Sequence, residues 1–197
     1  MARLPVVLGT LDLPIAELCA ARLDGELFAI DDGWAPVDEP DLPAFRAAVI
    51  ALRMPRPLVI ERMSAAWVHG AVAVPPAVAQ FCVPHSARIA PIGDRRATVR
   101  EVKLDESDVV EFGGIRCTSV VRTGFDLLRD ADYETVDGEA VVAALMAPRP
   151  WLGSSLGDRL DAATRMPHKS LALARLERAL AADHGAAVTP RQPSLTR

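Results

Sequence analysis

The chain has 197 residues, half of them hydrophobic, and carries a formal net charge of −4. This length can bury a real core, and this composition excludes a disordered chain and leaves no apolar run of the ~18 residues that span a membrane. The N-terminal stretch MARLPVVLGT is too short an apolar run for a secretory signal. Three widely spaced cysteines are typical of buried thiols, so we expect a cytoplasmic protein without a disulfide framework.

Charge is distributed unevenly along the chain. Residues 1–50 carry three arginines against nine carboxylates, whereas residues 147–197 carry eight lysines or arginines against four carboxylates. Phosphate contacts supply much of the affinity for nucleic acid, so the acidic N-terminal segment is poorly suited to bind it. A nucleic-acid-binding segment would be expected first at the basic C-terminal end.

The first part of the chain is predicted to form a helix, a hairpin and a second helix. Asp12 and Pro14 are typical of a helix start, and PIAELCAARL supplies the helix. The strands ELFAI and WAPV flank a turn at Asp32-Gly33, and DLPAFRAAVIALR is the next helix. A helix followed by a hairpin resembles the end of a winged helix. One apolar face of the first helix is expected to be buried, formed by Ile15, Leu18, Cys19 and Leu23.

The middle of the chain is predicted to be rich in strands, and the C-terminal part to be helical. Residues 58–60 are expected to form a strand, and Ser64 to cap a helix that ends at Gly70. AVAQFCVP, RATVREVKL and DVVEFGGIRCTS each read as one strand, after which Thr118 or Ser119 caps the helix VVRTGFDLLRD. Further helices are expected at residues 134–146, 154–165 and 170–183.

Residues 114–130, GIRCTSVVRTGFDLLRD, concentrate polar side chains where a strand runs into a helix. Arg122 and Asp126 are one helical turn apart, so their side chains are expected to form an ion pair. Two interpretations stay open. The polar side chains stabilise a capped helix, or they build a polar pocket or partner surface at a helix N-terminus, where anions are favoured.

The familiar catalytic and metal-binding patterns are missing from the sequence. There is no G-x-x-x-x-G-K-S/T phosphate loop, no H-R-D or D-F-G kinase motif, and no G-x-S-x-G or H-E-x-x-H motif. Cys82, His85 and Cys117 form too weak a pattern for a zinc site, so no metal is predicted.

Two motifs together resemble the core domain of the AbiEi family of antitoxins. The first, residues 63–70 (MSAAWVHG), is similar to a Ser-Ala-Ala helix that ends in His-Gly. The second, within residues 114–130, is similar to a Thr-Ser/Pro-x-x-Arg-Thr-x-x-Asp helix. A stretch rich in strands separates them, and the resemblance covers roughly residues 10–180. The matching residues are Ser64, Ala65, Ala66, His69, Gly70, Thr118, Arg122, Thr123 and Asp126.

The resemblance implies a bacterial antitoxin of a type IV-like toxin–antitoxin system, similar to actinobacterial and mycobacterial members. Its partner would be a co-encoded AbiEii-like nucleotidyltransferase toxin that modifies tRNA acceptor ends. The family's winged helix further implies autoregulation through operator DNA, but the corresponding segment is short and acidic here. Arg46, Arg53 and Arg56 are the candidates for DNA contact.

Neutralisation could proceed by a complex that covers the toxin's active site, without direct contact, or by covalent modification of the toxin. For modification, the resemblance implies an atypical serine kinase activity, which would need ATP and Mg²⁺. The catalytic residues are unknown, with His69, Arg122 and Asp126 as candidates because both motifs supply them. A further alternative is a DNA-binding autorepressor without toxin contact. Whether the chain is an enzyme stays open, and otherwise no cofactor is expected.

These features predict an α+β protein made of three segments. Residues 1–57 would form a small degenerate winged-helix-like segment. Residues 58–185 would form an antitoxin core with a mixed sheet and helices, ending in a helical C-terminal part. Residues 186–197 would form a loose tail, because they lack periodicity.

Overall fold

The fold combines helices with two sheets and belongs to the α+β class, as the sequence predicts. The computed structural model describes residues 5–53, 58–86, 95–164 and 166–187, with side chains to residue 182. The chain divides into two compact units, Met1–Thr123 and Gly124–Arg197.

The first unit begins with the helix and hairpin that the sequence predicts. Its first elements are helix α1 (Ile15–Leu23), strands β1 (Leu27–Ile30) and β2 (Gly33–Pro36), and helix α2 (Pro43–Ala51). β1 and β2 pair antiparallel, from Leu27 opposite Pro36 to Ile30 opposite Gly33. Gly25, with φ +76°, follows α1 in the left-handed conformation that glycine tolerates at helix ends.

The hairpin turn lies one residue earlier than predicted. Ile30 pairs with Gly33, so Asp31 and Asp32 form the turn, and Asp31 adopts φ +52°. Gly33 is needed for space, because a Cβ there would lie 2.4 Å from Leu52 Cδ1 and 2.8 Å from Val7 Cγ1. The Asp-Gly pattern therefore located the hairpin correctly. It placed Gly33 in the turn, whereas Gly33 lies in β2, where a larger side chain would not fit.

A five-stranded mixed sheet forms the centre of the first unit, in the order β5-β4-β3-β7-β6. β3 pairs antiparallel with β4 and parallel with β7, β4 and β5 are parallel, and β6 and β7 are antiparallel. The elements of this region are β3 (Val59–Ile60), α3 (Arg62–Val68), β4 (Ala79–Pro84), β5 (Ala97–Val102), a 3₁₀ turn (Glu106–Asp108), β6 (Val109–Phe112) and β7 (Ile115–Thr118).

The stretch DVVEFGGIRCTS forms two strands, whereas the sequence predicted one. Gly113 and Gly114 both have positive φ, +59° and +86°, and turn the chain between β6 and β7. Alternation alone does not reveal this turn, because residues on both sides of the glycines read as strand.

The core of the first unit lies where α2 and α3 pack on the sheet. Both residues of β3 are fully buried, which fits a central strand with paired neighbours on both sides. The large side chains of this core include Phe45, Ile50, Ile60, Trp67 and Phe81.

α1 contributes little to this core, contrary to the predicted buried face. Leu18 is buried and Ala21 is partly buried, while every other residue of the helix is exposed. The sequence predicted that all three cysteines would be buried. Cys82 and Cys117 are buried, but Cys19 on α1 is exposed.

The second unit is helical in the part that the structure describes, as predicted for the C-terminal part. It begins within α4 (Val120–Leu128) and contains α5 (Gly138–Met146), α6 (Leu152–Ala162) and α7 (Lys169–Ala187). Leu152, Leu156 and Leu160 recur every four residues of α6 and are fully buried. Among the described helices, none combines the length and hydropathy needed to cross a bilayer.

Two predicted boundaries involve residues outside the described ranges. The proposed end of the first segment, residue 57, belongs to the undescribed range 54–57, as does Arg56. Of the predicted tail, residues 186 and 187 belong to α7, and residues 188–197 lie outside the described residues.

Candidate functional site

The two sequence motifs meet at the end of α3 and the start of α4. His69 follows α3 and its Nε2 donates a hydrogen bond to the backbone carbonyl of Thr118, the last residue of β7, at 2.8 Å. The imidazole also packs edge-on against Phe112 of β6. Gly70, with φ +84°, then turns the chain away from the helix. Residues far apart in sequence are thus joined by one hydrogen bond.

Thr118 and Thr123 continue this network across the strand-to-helix junction. Their hydroxyl oxygens lie 2.7 Å apart, and the Thr123 hydroxyl also lies 3.3 Å from the Thr118 carbonyl. Both side chains are fully buried. Buried hydroxyls are nearly always hydrogen-bonded, and these two threonines supply a partner to each other.

Ser64 acts within α3, although the sequence predicted that it would cap the helix. The helix begins at Arg62 with Glu61 as its N-cap residue. The Ser64 hydroxyl accepts a hydrogen bond from the Gln80 amide at 2.9 Å, and Gln80 Oε1 accepts one from the Met63 amide at 2.8 Å. Ser64 therefore fixes α3 against β4.

Arg122 is buried and has Asp108 as an ion-pair partner, which the sequence did not predict. Its Nη1 donates to Asp108 Oδ2 and to the Lys103 carbonyl, both at 2.8 Å. Asp126, the predicted partner, is also buried on α4. Asp108 was not singled out because it lies in a different element, the 3₁₀ turn before β6. An Asp-x-x-Asp capping-box pattern at residues 105–108 was the available sequence signal.

Ser119 is the side-chain cap of α4, one of the two caps that the sequence offered. Its hydroxyl accepts a hydrogen bond from the Arg122 amide at 3.3 Å. The Ser119 amide in turn donates to the Asp108 carbonyl at 2.8 Å. Asp108 therefore anchors the start of α4 through both its backbone and its carboxylate.

A second ion pair, half-buried and also missed by the sequence patterns, lies near the opposite end of α3. Arg100 of β5 binds Glu61 through two parallel hydrogen bonds of 2.6 Å, and Glu61 is buried. This two-point geometry is the strong form of an arginine–carboxylate contact. The pair connects residues 39 positions apart, which no local pattern could reveal.

The two described candidates for DNA contact are both bound to carboxylates. Arg46 binds Asp41 through Nε and Nη2, donates to the Trp67 carbonyl and stacks over the Trp67 ring. Arg53 binds Asp31 through two hydrogen bonds and donates to the Pro76 carbonyl. A guanidinium held in this way is poorly placed to contact a phosphate backbone.

The contact between Arg46 and Asp41 shifts the pKa of both side chains. The hydrogen bond from Arg46 lowers the pKa of Asp41 below its ordinary value, and the same bond raises the pKa of Arg46. The pair is therefore ionised at neutral pH and forms part of the surface next to Trp67.

The hydrogen bonds of His69, Thr118, Thr123 and Arg122 stabilise the junction between α3, β7 and the start of α4. Two cavities, of about 380 and 300 Å³, are lined by neither His69, Arg122 nor Asp126. Within the described residues, no group of three or more His, Cys, Asp or Glu could hold a metal ion. Burial raises the pKa of the Cys117 thiol, so this cysteine is an unreactive core residue.

Comparison with protein-family models and with curated sequences yields no match.

Proposed function

We propose that the chain is a cytoplasmic antitoxin of the AbiEi type, which neutralises a co-encoded nucleotidyltransferase toxin acting on tRNA. In this proposal, α1 and the β1–β2 hairpin correspond to a reduced winged helix. Neutralisation proceeds through a complex between the two proteins.

One observation carries this proposal. The two motifs that resemble the family, residues 63–70 and residues 114–130, are joined by the 2.8 Å hydrogen bond from His69 to Thr118. Thr118 then pairs with Thr123 at 2.7 Å. If the motifs were chance matches, nothing would require them to meet. Their junction supports the interpretation that they are two halves of one core signature.

The contacts of His69 and Arg122 favour a binding role over a catalytic one. Phosphoryl transfer needs exposed positive charge, a metal-binding carboxylate and room for a nucleotide. Arg122 is buried against Asp108, and His69 is bound to a backbone carbonyl. The candidates for a kinase site therefore have structural partners already.

Co-expression with the neighbouring gene tests the proposal. We expect the neighbour alone to arrest growth and this chain to restore it, with a stable complex recovered on size-exclusion chromatography. A harmless neighbour, or arrest that this chain does not relieve, would contradict the antitoxin function.

Intact-mass spectrometry of the toxin separates a complex from covalent modification. We expect the toxin mass to be unchanged after incubation with this chain, ATP and Mg²⁺. A gain of one phosphoryl group would instead support the atypical kinase, and a serine-to-alanine change at the modified position would then abolish neutralisation.

A further inference from the structure

A cavity of about 380 Å³ lies within the second unit, where the end of α4 meets the start of α7. Residues 128–131 line it on the α4 side, and His168, Leu171 and Arg175 line it on the α7 side. Leu171 and Arg175 are four residues apart and therefore share one side of α7, while His168 immediately precedes the helix. Sites for small molecules usually have volumes of roughly 300–1,000 Å³, so this cavity is large enough to hold one.

Arg175 places a buried positive charge in the wall of this cavity. Its Nη1 donates to the backbone carbonyls of Leu128 and Asp130, both at 2.9 Å, and these acceptors are uncharged. Its Nε is buried and has no hydrogen-bond partner among the described residues. The Glu134 carboxylate lies 3.6 Å from Nε, is 67% exposed and is also bound by Arg178. Because buried ions are normally paired and hydrogen-bonded, this guanidinium can still gain free energy from an anion.

Positive charge exceeds negative charge along the lining of the cavity. Arg129 and Arg175 line it together with His168, which adds a further positive charge when it is protonated. The carboxylate among the described lining residues is that of Asp130, which is buried and accepts a hydrogen bond from the Asp132 amide at 3.2 Å. The start of α7 adds partial positive charge, since the amides of a first helical turn lack helical acceptors. This balance favours an anionic occupant.

Apolar side chains form the remainder of the lining and indicate that the occupant is larger than a bare ion. Leu171 is 44% exposed although it lies on the cavity side of α7. An apolar group placed against this surface would remove it from water. The other cavity, of about 300 Å³ in the first unit, has the opposite charge balance, because Arg116 lines it with Asp105, Glu106 and Glu111. The apolar residues that line the larger cavity are Leu128, Ala131, Pro167 and Leu171.

We propose that this cavity binds a small organic anion, with a carboxylate or phosphate group beside the Arg175 guanidinium and an apolar part against Leu128 and Leu171. Guanidinium groups recognise both kinds of oxyanion through charge-assisted hydrogen bonds. Such a ligand would connect the end of α4 to the start of α7, which already share the contacts of Arg175. This inference concerns a ligand of the second unit, and it goes beyond the antitoxin function without depending on it.

Calorimetric titration of the full chain with four small molecules tests the chemistry of the occupant. Phenyl phosphate or phenylacetate should bind with a Kd below ~1 mM, and the tighter of the two identifies the preferred oxyanion. Inorganic phosphate should bind at least ~10-fold more weakly than phenyl phosphate, because it lacks the apolar part. Benzylamine, a cation of similar shape, should not saturate. If neither aromatic anion bound, or if benzylamine bound as tightly, the proposal would be wrong.

A pair of variants at Leu171 tests the location of the site without touching the buried arginine. Leu171→Glu should weaken binding of the preferred aromatic anion at least ~10-fold relative to Leu171→Gln, since the two side chains have the same shape and only the first repels an anion. Thermal unfolding should remain near that of the wild type, because Leu171 is 44% exposed and a carboxylate suits the first turn of a helix. Equal affinities of the two variants would overturn the proposed location.

Removal of an exposed arginine separates a defined site from general surface charge. Arg129→Gln should weaken binding of the same anion by about threefold, the usual scale of an exposed charge contact. Arg116→Gln is the matched control, because Arg116 is also exposed but lines the other cavity, and it should leave the affinity unchanged. Equal losses in the two variants would mean that the anion responds to net charge alone, which would contradict a site at the start of α7.

Two-dimensional NMR maps the binding site in the unmodified chain. During titration with the preferred aromatic anion, the amide signals of residues 128–131 and 168–171 should shift most. Largest shifts in residues 104–111, beside the other cavity, would overturn the proposal. The outcome is independent of the antitoxin function, because no toxin enters these measurements. Failure of the co-expression test would therefore contradict the proposed function and leave the anion site standing.

Discussion

Arg122 shows how one buried residue couples elements that are distant in sequence. Its guanidinium pairs with Asp108 and binds the Lys103 carbonyl, so the loop before β6 is fixed to the start of α4. The family resemblance singled out Arg122. Because its side chain is buried, we expect it to act through the fold and not through contact with a substrate.

Arg122→Met should therefore be strongly destabilising. The substitution leaves the Asp108 carboxylate buried without this cation, and breaking a buried pair costs about 3–5 kcal/mol. Urea denaturation measures the loss of unfolding free energy. The control is Arg116→Met, at an exposed position on β7, which should change the unfolding free energy by under about 0.5 kcal/mol. A stable Arg122→Met variant that no longer neutralises the toxin would instead assign Arg122 a direct role.

Asp41 is a single residue whose contribution to the free energy of unfolding depends on pH. Its pKa is lowered in the folded state by the hydrogen bond from Arg46. A lowered pKa means that the stabilisation is present above the unfolded-state pKa and is lost as pH falls through the folded-state value.

Asp41→Asn should remove that dependence. At pH 7 we expect a loss of under about 1 kcal/mol, since the Asp41 carboxylate is largely exposed. Wild type and variant should converge in denaturation midpoint on acidification below the lowered pKa. Asp38→Asn, at a nearby exposed carboxylate, serves as the control. If the difference in denaturation midpoint between wild type and Asp41→Asn widened in acid, Asp41 would not be the source of this pH dependence.

At the scale of elements, two glycines in helices of the second unit should respond oppositely to the same substitution. Gly138 begins α5, and a Cβ there would lie 2.3 Å from the Tyr133 ring. That ring is buried, and burial together with nearby Glu139 raises the Tyr133 pKa to about 12. Gly157 lies within α6, where a Cβ would meet nothing within 4 Å.

Gly138→Ala should destabilise the protein by about 1–3 kcal/mol, because the buried ring has to shift. Gly157→Ala should stabilise it by about 0.5–1 kcal/mol, since alanine reduces the entropy that the helix loses on folding. Thermal unfolding of the two variants checks both signs at once. If both substitutions changed the unfolding free energy by the same amount, Tyr133 would not constrain the start of α5.

At the scale of the whole molecule, charge opposes DNA binding through the first unit. The net charge of the chain is −4, and residues 1–50 alone carry nine carboxylates against three arginines. The described arginines proposed for DNA contact, Arg46 and Arg53, are already bound to Asp41 and Asp31.

We therefore expect no retardation of the operon's promoter DNA in a gel-shift assay at low salt, where electrostatic attraction is strongest. A specific shift that disappears on raising the salt would support the autorepressor alternative. Arg46→Ala and Arg53→Ala would then show whether these arginines contribute.

Local patterns predicted much of the fold. Apolar spacing, glycines and caps located the helix and hairpin of the first unit, the cap of α4 and the helices of the second unit, because these depend on residues within a few positions of one another. The turn between β6 and β7 was missed, since its glycines interrupt two stretches that both read as strand.

The sequence alone established the α+β class and identified the two motifs that carry the functional proposal. Only the folded chain showed that the motifs meet at His69 and Thr118, that Arg122 binds Asp108, and that Ile15, Cys19 and Leu23 of α1 are exposed. The physical reason is the range of the interactions. Periodicity specifies which residues are apolar, but strand order determines which distant surfaces exist to cover them and which charges are brought into contact.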